Sequence, residues 1–298
     1  MDVSIILVNY NTANLLIKCI DSIYRFTESL EFEIIVVDNK STDDSVQVVK
    51  TNYPQVLCIS SNENLGFGKG NNLGVKYARG EFLFLLNSDT LLMENSIAIL
   101  HDFFTKKEKE LYLGVIGCKL VDEQMQIANS GGGFPLVIND LKEYYYVLVE
   151  KLFNHTFPPR DSYNFDAPFL EIDYVIGADM FLRKSVYDEV GGFDEKYFMY
   201  YEESDMQIAI RKLGLKCYIN TRTKILHLEG GSTNRRKFSS FKRIILQRSR
   251  NYYFKKNDNK HYNLYLIIDM LLNLTRLFNR RYSFRENLRF VVENLRSY

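Results

Sequence analysis

Three apolar, β-branched runs near the N-terminus each stop on a polar cluster, and that repetition constrains the fold more than anything else in the chain. Val3–Val8 runs into Asn9-Tyr10-Asn11-Thr12, Glu33–Val37 into Asp38-Asn39, and Glu81–Leu86 into Asn87-Ser88-Asp89. Between the first two, Leu15, Leu16, Cys19, Ile20 and Ile23 recur at helical spacing. Ser41-Thr42-Asp43-Asp44 reads as the cap of a helix carrying Val46 and Val49, and Val56–Ser60 as a further strand. Repeated β-α-β units of this length imply a parallel, doubly wound α/β sheet whose ligands bind at the carboxyl ends of the strands. The polar clusters fall at those ends, so the site is expected there.

After Leu113–Cys118 the pattern loosens. Residues 130–172 hold Gly131-Gly132-Gly133, most of the prolines and the cluster Tyr144-Tyr145-Tyr146, and read as irregular and mobile with short helical pieces. Order returns at Ile172–Ile176. A polar-faced helix is expected from about Glu202 to Leu213, ended by Gly214, then a short strand before His227 and three helical segments from Ser239 on.

Composition adds boundaries. With 298 residues, 46 % hydrophobic and 25 % charged, the chain has ordinary globular composition and ample length for a core. Its four cysteines form no C-x-x-C pair and read as free, buried thiols of a reducing compartment. Neither a signal-like N-terminus nor an apolar run long enough to span a bilayer is evident, so a cytoplasmic location is expected.

Each candidate for chemistry also has a plain structural explanation. Asp38 closes a strand, where a carboxylate can bind a ribose or base, yet Asp-Asn is also good turn chemistry. Asp89 at the sheet mouth suits a hard cation bridging a diphosphate. Glu202, Glu203 and Asp205 share one helical turn beside Tyr197–Tyr201, where one carboxylate can serve as a general base, although acids at a helix N-terminus commonly answer the helix dipole. His227 precedes a Gly-Gly turn. The stretch Gly66-Phe67-Gly68-Lys69-Gly70 matches neither dinucleotide nor P-loop spacing, so its glycines are read as permitting close backbone approach.

Taken in order, SIILVNYNTANLLIKCIDSI, IIVVDNKSTDDS, NENLGFGKGNNLGVKYARGEFLFLLNSDT, VGGFDEKYFMYYEESDMQIAIRKLGLK and ILHLEGGST resemble family 2 glycosyltransferases of GT-A fold, in particular their rhamnosyltransferase-like branch. The resemblance spans roughly residues 3–235. It implies a catalytic domain over 1–234, with a donor half to about 120 and an acceptor half from 121, followed by a basic helical extension over 235–298. It assigns Tyr10, Asn11 and Asp38 to the nucleoside, and Lys69 and Asn72 to the donor site. Asn87-Ser88-Asp89 falls where the family has its metal motif, with Asn87 in place of the first acid and Asp89 as the metal-binding carboxylate. His227 falls at a second metal ligand, and Glu203 at the catalytic base, with Glu202 and Asp205 as rivals. The implied chemistry is a single inverting displacement, assisted by Mg²⁺ or Mn²⁺. One sugar, rhamnose in the rhamnosyltransferase-like branch, moves from a dTDP- or UDP-linked donor to a glycan or lipid-linked acceptor for cell-surface polysaccharide.

Charge is lopsided. From Arg235 to the end there are sixteen Lys and Arg against four acids, interleaved with aromatics. A peripheral contact with the anionic inner face of a membrane is one reading, and arginines reaching the donor diphosphate another; a solvated basic face is the plain one. No nucleic-acid-binding module is recognisable. A sugar nucleotidyltransferase would carry a glycine-rich basic loop where this chain reads NYNTAN. A processive synthase would need a Q-x-x-R-W motif that a chain without Trp cannot have. A non-catalytic nucleotide- or glycan-binding scaffold remains the rival from another class.

Overall fold

The computed structural model describes residues 1–153, 163, 165–228 and 239–298. The chain opens with β1 (Val3–Asn9), α1 (Ala13–Phe26), β2 (Phe32–Asp38), α2 (Ser45–Asn52), β3 (Leu57–Ser60), α3 (Gly66–Val75) and β4 (Phe82–Asn87). There follow β5 (Thr90–Leu92), α4 (Ser96–Leu111), β6 (Leu113–Val121), β7 (Gly131–Gly132), α5 (Val137–Phe153), β8 (Phe169–Ile172) and β9 (Tyr174–Val175). The remainder is β10 (Asp179–Arg183), α6 (Lys184–Glu189), α7 (Glu202–Lys212), β11 (Lys216–His227), α8 (Ser240–Asn257), α9 (Asn259–Arg276) and α10 (Phe284–Leu295).

Two compact units divide these elements. The first comprises Met1–Gly133, Tyr163–Phe198 and Glu202–Thr233; the second comprises Phe134–Ser162, Met199–Tyr201 and Asn234–Tyr298.

In the first unit the main sheet runs β3-β2-β1-β4-β10-β6-β11-β5, with β8 also paired to β11. Parallel pairing of β1 with β2 and β4 sets Asn9 opposite Asp38 and Val8 opposite Asn87, so three strand ends lie side by side. β6 and β11 are also parallel. The antiparallel members are β10, between β4 and β6, together with β5 and β8 against β11. The sheet is therefore mixed, its parallel part being the one the alternation of runs and helices foretells. Expectation and structure differ at β11, twelve residues long rather than short, because a register shift between Asn220 and Lys224 lets one strand serve β6 along its whole length.

Both faces of the sheet are buried, which is why its strands read as continuous apolar runs. Ile5, Leu7, Phe82, Phe84 and Phe181 pack under Leu16, Ile20, Leu100 and Phe104 from α1 and α4. On the other face Ile6, Ile35, Leu83, Leu85 and Met180 meet Val75, Met206 and Ile210 from α3 and α7. Each such side chain contributes about 1.5–3 kcal/mol. α3 reaches the sheet through its glycines: a Cβ on Gly74 would stand 2.6 Å from Ile6 Cγ2, and one on Gly70 would stand 2.8 Å from Val8 Cγ1. The glycine-rich stretch is thus a close-packing device, as its sequence suggests.

The second unit corrects one expectation. Residues 137–153 form the seventeen-residue helix α5 rather than irregular chain. Its partners are tertiary: Asp258 Oδ2 accepts from Val137 N at 2.9 Å, and Arg250 pairs with Asp140 and donates to Tyr144 Oη. Three helices follow Ser239, as read from the sequence. All four cysteines are free; Cys19, Cys118 and Cys217 are buried, whereas Cys58 is partly exposed. Burial pushes the Cys19 and Cys217 thiols up to about 12.

Candidate active site

At the end of β1 the chain must turn sharply, and Asn11 does so with a left-handed φ of 55°. Fully buried Asn9 donates through Nδ2 to Asp38 Oδ1 at 2.9 Å and to Ser41 Oγ at 3.0 Å. The second Asp38 oxygen accepts from Ser41 N, and Asn11 Oδ1 accepts from Thr42 N at 2.7 Å. Asp38 is therefore braced by its own turn, and each carboxylate oxygen keeps a lone pair for a further donor. Tyr10 stands 49 % exposed above this braced turn, with its ring open to a stacking partner.

Thr12 links this network to the next strand end. Its Oγ1 donates to Asn9 Oδ1 at 2.7 Å and lies 3.2 Å from Ser88 Oγ. Residues 10–12, 38–42 and 87–89 are thereby held in one constellation, which joins Tyr10, Asn11, Asp38, Asn87 and Asp89.

His227 reaches the same place from the far end of the chain. Antiparallel pairing sets it opposite Thr90, and Leu228 N donates to Asp89 O at 2.9 Å. His227 Nε2 consequently lies 3.4 Å from Asp89 Oδ1. Two ligands of one cation at about 2.1 Å each stand about 3.0 Å apart at a right angle and about 3.4 Å apart at a tetrahedral angle, so the pair is near the spacing of a shared cation. A carboxylate oxygen suits Mg²⁺ or Mn²⁺ and an imidazole favours the latter, so the donor set fits. Among the described residues no group of three or more His, Cys, Asp or Glu could hold a metal, which leaves the other coordination positions to ligand oxygens and water. His227 Nδ1 is buried without a hydrogen-bond partner among the described residues.

The acidic turn opens α7. The two residues before it, Tyr200 and Tyr201, both have left-handed φ, 73° and 71°. Such backbone costs about 1–3 kcal/mol per residue, and it re-aims the chain directly ahead of the acids. Glu202 is 2 % and Asp205 6 % exposed, whereas Glu203 is half-buried. Burial raises the Glu203 carboxyl above the usual range, against backbone N–H groups of its own turn that lower it. Gln207 clamps the helix, exchanging hydrogen bonds with Val175 N and O while its Nε2 also donates to Glu203 O.

α3 connects the halves of the constellation. Asn39 Nδ2 donates to Gly66 O, and a Cβ on Gly68 would meet Phe193 Cβ at 2.9 Å and Glu202 Cγ at 3.6 Å. Lys69 lies on the same helix, half-buried. Asn72 is fully engaged: Nδ2 donates to Phe193 O, and Oδ1 accepts from Tyr187 Oη and Phe193 N. It braces the Gly191-Gly192 turn, and its amide has little left to offer a ligand.

Residues the sequence reading passed over include Asn9, Thr12, Ser41 and Gln207. Asn9 carried a usable signal, an amide as the last residue of an otherwise apolar buried strand. Gln207 carried none, since a glutamine on a helix face is ordinary.

Comparison with known proteins bears on the fold and the family. The family model described as Glycosyl transferase family 2 matches residues 4–191. An O-antigen biosynthesis protein of Myxococcus xanthus is 23 % identical over 238 residues, covering 77 % of this chain but only 17 % of that much longer relative. An N-acetylglucosaminyl-diphospho-decaprenol L-rhamnosyltransferase of Mycobacterium tuberculosis is 27 % identical over 236 residues, 71 % of this chain and 73 % of that one. Among solved structures, a mannosyltransferase of Pyrobaculum calidifontis in complex with GDP-Man and Mn²⁺ superposes with TM-score 0.58 at 16 % identity, covering 99 % of this chain and 73 % of the other. The fold is GT-A, and with the family match running over most of the unit that holds the site, the chain belongs to glycosyl transferase family 2.

Proposed function

We propose that the chain transfers a single sugar, with inversion, from a dTDP- or UDP-linked donor to a hydroxyl of a glycan or lipid-linked acceptor in cell-surface polysaccharide synthesis. Rhamnose is the first donor sugar to test, on the resemblance and the mycobacterial relative. The proposed place of work is the cytoplasmic side of the membrane. The observation that carries the reading is the meeting of Asp89 and His227 beside the braced ends of β1 and β2.

In this proposal Tyr10 stacks on the base, while Asn11 and Asp38 receive the nucleoside. Lys69 and Asn87 contribute polar groups toward the diphosphate side, and Asn72 acts indirectly by holding the turn before Phe193. Asp89 and His227 would hold Mg²⁺ or Mn²⁺, which when bound supplies positive charge to the leaving diphosphate. Glu203 accepts the proton of the acceptor hydroxyl as that oxygen attacks the anomeric carbon from the face opposite the diphosphate. One displacement inverts the centre, and no sugar–enzyme bond forms. Raising the Glu203 pKa by burial strengthens it as a base toward the operating pH. Glu202 and Asp205, being nearly inaccessible, are the weaker candidates.

The test is release of nucleoside diphosphate from dTDP- and UDP-sugars, with and without a polyprenyl-diphosphate-linked acceptor and Mn²⁺. Release that requires both acceptor and cation supports the proposal. Tight donor binding with no transfer to any glycan or lipid-linked acceptor would instead identify a scaffold.

A further inference from the structure

Helix α9 is built inside out. Its inward face carries Tyr262, Tyr265, Asp269 and Asn273, all buried. Its outward face carries Leu264, Ile267, Met270, Leu271 and Leu274, and Phe278 follows just past its end; Ile267 is 59 %, Leu271 62 %, Leu274 63 % and Phe278 78 % exposed. The spacing keeps the five helical residues on one stripe, and α9, at eighteen residues, is about 27 Å long.

Most of the inward polar groups are hydrogen-bonded to one another, the buried Tyr262 hydroxyl being without a hydrogen-bond partner among the described residues. Asp269 pairs with Arg276 at 2.7 Å and accepts from Asn294 Nδ2, which also donates to Asn273 Oδ1 at 3.0 Å. Gln247 donates to Asn251 Oδ1 and Tyr265 Oη, and Asn251 donates to Asn294. α10 follows the scheme in part: Asn287 and Asn294 are buried together with Phe290, while Phe284, Leu288 and Leu295 are exposed. A soluble three-helix pack would place its leucines inside and its amides outside. Here buried amides share the interior with Ile244, Ile245, Tyr253, Phe254 and Phe290, while the leucines of α9 and α10 face out, so those outward apolar faces are left for another medium.

Charge says which medium. Residues 239–298 hold thirteen Lys and Arg against four acids. All four acids are engaged within the unit: Asp258 with Val137 N and His261, Asp269 with Arg276, Glu286 in the Ser283 capping box, and Glu293 with Arg248 and Arg296. Arg280 and Arg281, beyond the end of α9, and Arg285 and Arg289 on α10 are exposed, and their side chains make no ion pair or hydrogen bond among the described residues. A second copy presenting the same face would set these arginines against their own kind, with all four acids of residues 239–298 already engaged. No helix among the described residues is long and apolar enough to cross a membrane. A stripe of this kind lies in the interface of a bilayer, its leucines among the acyl chains and its arginines at anionic headgroups.

We infer that the outward faces of α9 and α10 dock this unit flat on an anionic lipid bilayer. The inference rests, for its purpose, on the lipid-linked acceptor proposed above, and its test reads lipid binding apart from nucleotide binding. The full chain is floated with vesicles of phosphatidylcholine alone and of phosphatidylcholine mixed with phosphatidylglycerol. The wild type is expected to float with the anionic vesicles and to be left behind by the neutral ones. Leu271→Gln combined with Leu274→Gln should weaken the association about tenfold or more at unchanged melting temperature, and Arg285→Gln with Arg289→Gln should reduce the preference for anionic lipid. Equal recovery with both vesicle types, or none, would overturn the inference. So would a concentration-dependent dimer in lipid-free solution that the two leucine substitutions abolish, since the face would then belong to a second copy. Nucleotide affinity, measured on the same variants, should not change; if wild-type chain floats but binds no nucleotide, the docking inference stands and the transfer proposal falls.

Discussion

Glu203 and the Asp89–His227 pair carry the chemistry of this account, and each answers to a single substitution. Glu203→Gln is expected to lower turnover by about a hundred- to ten-thousand-fold while leaving donor affinity in place, as measured by steady-state rates beside calorimetric binding. A variant within a few-fold of wild type would move the base to Glu202 or Asp205. The same residue sets the acid limb of the pH profile. Proton abstraction needs the carboxylate, and burial raises its pKa, so activity should fall as pH drops through a value above that of an ordinary glutamate. The profile of kcat/KM checks this, and an inflection at or below the free-glutamate value contradicts it. A second buried acid offers a stability test. Asp179 accepts from Cys118 N and is held well above the usual range by burial. A raised folded pKa means that its contribution is present at acid pH and is lost as pH rises toward that pKa. Thermal melts should therefore show wild type losing stability relative to Asp179→Asn between acidic and alkaline pH; a constant difference would refute the assignment.

At the scale of elements, α3 shows why its glycines matter. Gly66 has φ +77°, and a Cβ there would stand 1.9 Å from Phe198 O. Gly66→Ala should destabilise the chain by at least the 1–3 kcal/mol or so of left-handed strain, read by denaturant unfolding, because backbone rather than a mobile side chain must move. What the sequence made legible follows the same logic of local against distant causes. β1, β2 and β4 announce themselves because both faces are buried, and their polar stops announce the site because a sheet edge is where chain meets ligand. The helix from Glu202 to Lys212 is legible from its acidic start and the left-handed Gly214 beyond its end. α5 was not legible, since its tyrosines and Asp140 are ordered by Arg250 and Asp258, more than a hundred residues away. The antiparallel insertion of β10 was equally hidden, as five residues give no direction and only their neighbours do. Among site residues, those at strand ends could be read one by one. The pairing of His227 with Asp89 was implied by the family resemblance alone, because the residues themselves do not reveal the register of β11 against β5.

Over the whole molecule, two kinds of packing coexist in one chain. The first unit buries hydrocarbon on both faces of a mixed sheet and keeps its polar residues at one edge, which is where a nucleotide sugar is expected. The second unit buries amides and an ion pair among its aromatics and turns further hydrocarbon outward on α9 and α10, which is where a bilayer is expected. A transferase with a lipid-linked acceptor has use for both, and lipid flotation and nucleotide binding test them separately. The central claim remains that the Asp89–His227 edge takes a nucleoside diphosphate together with a divalent cation. The direct measurement is thermal unfolding of wild type and Asp89→Ala with dTDP, UDP, GDP or CMP, each with and without Mn²⁺. At about a hundred times its dissociation constant a ligand stabilises the folded state by about 2.7 kcal/mol. The account predicts a shift with dTDP or UDP that grows with Mn²⁺ in the wild type and loses its Mn²⁺ dependence in Asp89→Ala. No shift with any nucleotide, or the same cation response in both proteins, would contradict it.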